Sequence, residues 1–82
     1  MNRNEIVFQL NTIFADIFNI DKSTLTDKTS AKDVDGWDSV AHVMLITSIE
    51  KKFAIRFTGR EIAGFKTVGD LIDAVEKKTI GK

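Results

Sequence analysis

Cysteine is absent, proline is absent, and histidine occurs once. Without thiols the chain can build neither a disulfide frame nor a thiolate metal cluster, and one imidazole cannot make a His-rich zinc site. Redox and zinc enzymes are excluded on that count. With no proline, no low-complexity tract and no internal repeat, nothing marks a stiff linker or a solenoid. No apolar run approaches the roughly 18 residues that span a bilayer, and the N-terminal MNRNEIVF lacks the apolar core of a signal peptide. No membrane span and a cytoplasmic location are therefore expected. An excess of one charge is missing too: twelve Lys and Arg balance twelve Asp and Glu, which removes any general pull toward nucleic acid or anionic lipid.

What is present is a chain of 82 residues, 43% hydrophobic and 29% charged, enough for one folded domain over 1–82 and too short for two cores. Ile6, Leu10, Ile13 and Ile17, flanked by Val7, Phe14 and Phe18, recur at helical spacing and predict an amphipathic helix over about 3–18. From Asn19 to Asp38 the period fails, so a long loop is expected, anchored by Ile20, Leu25, Ala31, Val34 and Trp37. A loop of that length either packs through its own anchors or carries function. Asp38 then stands as a cap before a second periodic run, predicting a helix from Ser39 to about Phe53. FAIRF reads as a short extended passage. Thr58 and Glu61 have capping-box spacing, which predicts a short helix from Gly59 to about Ala63. Thr67 and Asp70 repeat the signal before Val68, Leu71, Ile72 and Val75, the face of a last helix ending near Lys77 and Lys78. The fold class is all-α, with three longer helices and one short one.

The second helix is apolar on two sides. His42, Leu45, Ile46, Ile49 and Phe53 form one stripe, which the core requires. Val40, Val43, Met44 and Thr47 form another, which one small core does not require. The second stripe predicts a partner-binding patch centred on Val40 and Met44, while packing against the long loop is an equal alternative for Val43.

Ser39 opens that helix inside the sequence Asp35-Gly36-Trp37-Asp38-Ser39-Val40. As a hydrolase nucleophile it would want the glycines of a G-x-S-x-G elbow, and these are missing, although His42 is three residues on. As a cap it is redundant beside Asp38. The third reading is covalent attachment of a phosphate-containing group, which would meet the positive end of the helix dipole and free backbone N–H groups. His42 reads either as a satisfied histidine at the core edge or as a contact for whatever Ser39 carries. Asp21 to Asp27 lacks the residue order of a calcium loop, and no metal site is assigned.

Over nearly its whole length the chain resembles the acyl carrier proteins and the related peptidyl and aminoacyl carriers, through GWDSV at 36–40, VMLITSIEKKF at 43–53 and TVGDLIDAV at 67–75. The resemblance implies a four-helix acyl-carrier-like bundle and no enzymatic activity of its own. It also implies that Ser39 carries 4'-phosphopantetheine, installed from coenzyme A by a phosphopantetheinyl transferase, and that Asp38 helps meet that transferase and its magnesium ion. Acyl- or aminoacyl-loading and acyl-processing enzymes are the implied partners of a monomer, meeting helix two at Val40, Val43, Met44 and Thr47. Fatty-acid carriers also hide their chain between helices, which would make His42, Leu45, Ile46 and Ile49 the lining of a cargo pocket. Departures from the usual acidic fatty-acid carrier are Ala41 and Met44 where acids are expected, Lys51 and Lys52 after the single Glu50, and Val40 where leucine is commoner. With Trp37 and His42 they suggest a stand-alone carrier of a specialised pathway, loaded with a short acyl, hydroxyacyl or aminoacyl group. An unmodified interaction domain of the same fold is the alternative. Lys51, Lys52, Arg56 and Arg60, the densest basic run, read as a solvated end or as a selector of an acidic partner face.

Overall fold

Helix α1 spans Arg3–Phe18, with the Asn2 side chain accepting from the Glu5 amide and Asn19 closing the far end at a left-handed φ of 54°. Asparagine tolerates that region better than other side chains, so the helix stops there at little cost. The computed structural model describes residues 2–21, 23 and 25–80; loop positions 22 and 24 and both ends of the expected 1–82 domain lie outside the described residues. Helix α2 spans Ser39–Phe53, α3 Gly59–Gly64 and α4 Val68–Ile80. All four therefore lie within two or three residues of their predicted bounds. The last runs a little beyond Lys77 and Lys78 because no helix breaker stands before Gly81 in the sequence.

The caps act as their spacing predicts. Thr58 Oγ1 accepts from the Glu61 amide while Glu61 Oε1 accepts from the Thr58 amide, a complete capping box. Thr67 and Asp70 form the same reciprocal pair before α4, and Asp70 Oδ2 also takes the Lys66 amide. FAIRF is only partly extended, and it forms no strand: Phe53 ends α2 and Ala54 is its left-handed cap, so the open passage is 55–57, and Phe53, Ile55 and Phe57 turn inward while Ala54 and Arg56 stay exposed.

One apolar cluster joins the elements: Ile6, Leu10 and Phe14 of α1, Leu45, Ile46 and Ile49 of α2, and Val68, Leu71, Ile72 and Val75 of α4. The α1 stripe is centred differently from the predicted one. Phe14 is fully buried, whereas Ile13 and Ile17 flank the core half-buried. The cause lies outside α1, because Phe14 packs edge-on to Trp37 at 5.1 Å between ring centres and so draws its own turn inward.

The long loop is held from both ends. Val34 and Trp37 are buried, and Ile20 and Leu25 pack on the core edge, as anchors should. Ala31 is the exception, exposed rather than anchored. Backbone bonds carry the rest: the Val68 amide donates to Thr29 O at 2.8 Å, the Gly69 amide to Asp27 O at 2.9 Å, and Ser30 pairs with Thr67 in an isolated antiparallel bridge. A Cβ at Gly69 would stand 2.8 Å from Asp27 O, so glycine is what lets loop and helix approach. Arg3 fastens α1 to α4 through Asp73 at 2.9 Å and Glu76 at 3.0 Å. The hydrogen bond to Asp73 and the charge of Glu76 outweigh desolvation and hold the guanidinium pKa above its ordinary value.

Candidate functional site

The loop delivers its chain to α2 through a tight sequence of bonds. Gly36 sits at φ 90°, a region that glycine enters freely, and the Trp37 and Asp38 amides donate to Val34 O and Gly36 O. This turn buries Trp37 and leaves Asp38 and Ser39 exposed. Asp38 is the N-cap: its Oδ1 accepts from the Ala41 amide at 2.8 Å. Ser39 is the first helical residue, and among the described residues neither its amide nor that of Val40 donates to another protein group. Two free N–H groups and an exposed hydroxyl therefore meet at the positive end of a helix of 15 residues.

His42, one turn on, is satisfied at both nitrogens. Trp37 Nε1–H donates to Nδ1 at 3.0 Å, and Nε2 lies 2.9 Å from Ile62 O in α3. A carbonyl only accepts, so Nε2 is the donor of that bond while Nδ1 is the acceptor of the Trp37 one. The two rings stack at 20° with centres 6.1 Å apart. No lone pair is left to take a proton from Ser39, which removes the geometry a serine hydrolase needs.

Beside Ser39 an open cavity of about 670 Å³ lies between the loop, the start of α2 and α3. Its lining includes Ser30, Lys32, Trp37, Ser39, His42 and Phe65, so chain segments far apart in sequence converge there. Of the four residues expected to line a cargo pocket, only His42 does. Leu45 and Ile49 have no exposed surface and Ile46 almost none, because the stripe that would face a pocket is filled by α1 and α4. Lys32, Ala63, Phe65 and Lys66 of this cavity escaped the sequence reading, since neither the loop nor the six-residue α3 has a period long enough to orient its side chains.

The outer face of α2 is open. Val40, Val43 and Met44 are 72%, 60% and 55% exposed, so Val43 does not pack under the loop. Thr47 is exposed as well, with its hydroxyl donating to Val43 O. Glu50, the helix's one acid, turns its Oε2 onto the Phe57 amide at 2.9 Å. Lys51, Lys52, Arg56 and Arg60 are exposed and enter no ion pair among the described residues.

A family model described as "Phosphopantetheine attachment site" matches residues 9–75. The acyl carrier protein of Thermosynechococcus vestitus is 32% identical over 79 residues, 95% of this chain and 96% of that one. The chain belongs to the acyl carrier protein family. It is a carrier whose prosthetic group is covalent 4'-phosphopantetheine. The solution structure of holo acyl carrier protein from Geobacter metallireducens superposes with a TM-score of 0.82 at 43% identity, covering 92% of this chain and 86% of that one. For the Enterococcus faecalis acyl carrier protein the TM-score is 0.79 at 23% identity, with 95% and 99% covered, a likeness of fold. The carrier's own surface fits the group: an exposed hydroxyl, two free amides for a phosphodiester, and a cavity alongside that Lys32 and Lys66 help to line. Among the described residues no helix is long and apolar enough to cross a membrane.

Proposed function

We propose that Ser39 is the attachment residue and that the chain, as one carrier unit over 1–82, presents acyl or aminoacyl groups to partner enzymes in the cytoplasm without catalysing a reaction itself. The observation that carries this reading is Ser39 itself, exposed at the first position of α2 with unused amides around it. The bound group supplies a terminal thiol that the gene does not encode, and on it the cargo is held. The carrier's residues do the positioning. Asp38 fixes the turn and keeps Ser39 at the helix start, where its exposed carboxylate also stands in reach of an incoming transferase. The free Ser39 and Val40 amides would hold the phosphodiester, and tethering would raise the cargo's effective concentration at successive active sites. Incubation with coenzyme A and a broad-specificity phosphopantetheinyl transferase should add one prosthetic-group mass to the wild type and none to Ser39→Ala. No gain on the wild type with several transferases would overturn the assignment.

Partners would dock on α2. Val40, Val43 and Met44 form the apolar centre, and Lys51, Lys52, Arg56 and Arg60 supply a cationic border with no free carboxylate from α2 among them. That pattern suits an enzyme whose docking site is apolar with an acidic rim, met by a monomeric carrier through a small, quickly released interface. The general fatty-acid enzymes, which meet acidic carriers with basic patches, are disfavoured, and a dedicated specialised pathway is favoured.

A further inference from the structure

The inward stripe of α2 begins one turn below Ser39 and runs through His42 to Leu45, Ile46 and Ile49, because residues three and four apart share a helix face. A chain that left Ser39 and followed this face into the bundle would meet His42 first. That imidazole is tied on both sides, to Trp37 Nε1 at 3.0 Å and to the Ile62 carbonyl of α3 at 2.9 Å. Trp37 is itself buried against Phe14 and Phe18, so the near side of the tie cannot swing away without disturbing an aromatic cluster. Beyond the tie, Leu45, Ile46 and Ile49 are packed out of contact with solvent. The available space lies on the other side, in the cavity of about 670 Å³ that opens beside Ser39. A volume of that order suits a small bound group.

We infer that His42 is a latch: by joining α2 to α3 it closes the route into the bundle, confines the cargo to the outer cavity, and makes the protein a carrier of short acyl groups. His42 is a specificity-determining residue in this reading, acting by position and not by touching the thioester. The inference rests on attachment at Ser39, and the test separates the two. Wild type, His42→Leu and His42→Gln are converted to the butanoyl and dodecanoyl forms with the corresponding acyl-coenzyme A and a transferase, modification at Ser39 is checked by mass, and methyl NMR spectra and melting temperatures are recorded.

In the wild type the methyl signals of Leu45, Ile46 and Ile49 should coincide for the two cargoes, with melting temperatures within about 2 °C. His42→Leu, which can neither accept from Trp37 nor donate to Ile62, should let the longer chain shift those methyl signals and raise the melting temperature above that of the butanoyl form. His42→Gln keeps one acceptor and one donor and should behave as the wild type does, a rescue that loss of packing alone would not produce. Failure to modify Ser39 overturns both readings. Modification followed by chain-length-dependent shifts at Leu45, Ile46 and Ile49 in the wild type overturns the latch alone, and that comparison stands even if His42→Leu does not fold.

Discussion

The two faces of α2 use the same residue types and meet opposite fates. On one face Leu45, Ile46 and Ile49 vanish into the core; on the other Val40, Val43 and Met44 stand in water although they are as apolar. Periodicity identifies both stripes but cannot say what covers each, because the covering comes from α1 and α4, whose placement is a property of the whole chain. An apolar face left uncovered in so small a protein is available for another molecule. The helix is thus a structural beam on one side and a docking surface on the other.

The sharpest way to break this contrast is to truncate each face in turn. Ile49→Ala removes a side chain with no exposed surface and should cost about 2–5 kcal/mol, seen as a large fall in the denaturation midpoint. A loss below about 1 kcal/mol would mean that the inward face is not the core. Asp38→Ala should come next, at about 1 kcal/mol, because the Ala41 amide loses its cap. The same change should slow modification of Ser39, while an unchanged rate would show that the helix start is held by other means.

A smaller effect is expected from acid at the short helix that carries the Ile62 carbonyl. The Thr58 amide, with help from Lys78, holds the Glu61 carboxyl below the usual carboxylate range. A depressed folded-state pKa contributes stability that is present above the unfolded value and lost as pH falls through the folded one. The melting temperature of the wild type should therefore drop toward that of Glu61→Gln as the pH is lowered from neutrality into and below the carboxylate range, and parallel curves would count against the box. Smallest of all should be the stability change in Met44→Glu, within about 0.5 kcal/mol, since the side chain is 55% exposed. Its loading by a cognate enzyme should slow severalfold, and a large stability loss with unchanged loading would place Met44 in the core.

Much of this architecture is legible in the sequence because it is local. The spacing of Ile6 and Leu10, the Asp38 cap and the Thr58–Glu61 box each act within a few residues, and the helices begin where they say. Ser39 at the first turn of α2 follows from the same signals. The loop and most of its anchors are legible too, but its path across the bundle and the cavity are not. Loop residues are placed by backbone bonds from Thr29 and Asp27 to Val68 and Gly69, about 40 positions away, and backbone groups leave no trace in side-chain pattern. Leu45, Ile46 and Ile49, expected as cargo lining, are packed in the core: a helical stripe points inward, but whether it meets a pocket or another helix is decided elsewhere in the chain. His42 on that same stripe differs because Trp37 and Ile62 claim its polar atoms.

The end of α2 bears on how far this protein stands from its own optimum. Ala54 closes the helix at a φ of 55°, where Asn19 does the equivalent job for α1 with a residue better suited to it. An alanine in that conformation carries a penalty of roughly 1–2 kcal/mol that glycine would not, offset in part by glycine's greater freedom when unfolded. The turn lies at the opposite end of α2 from Ser39 and close to Lys51, Lys52 and Arg56 in sequence. Selection has therefore left a correctable flaw in the scaffold at a site remote from the attachment residue, and an engineer could draw on it to offset destabilising changes made elsewhere to retune cargo or partner choice.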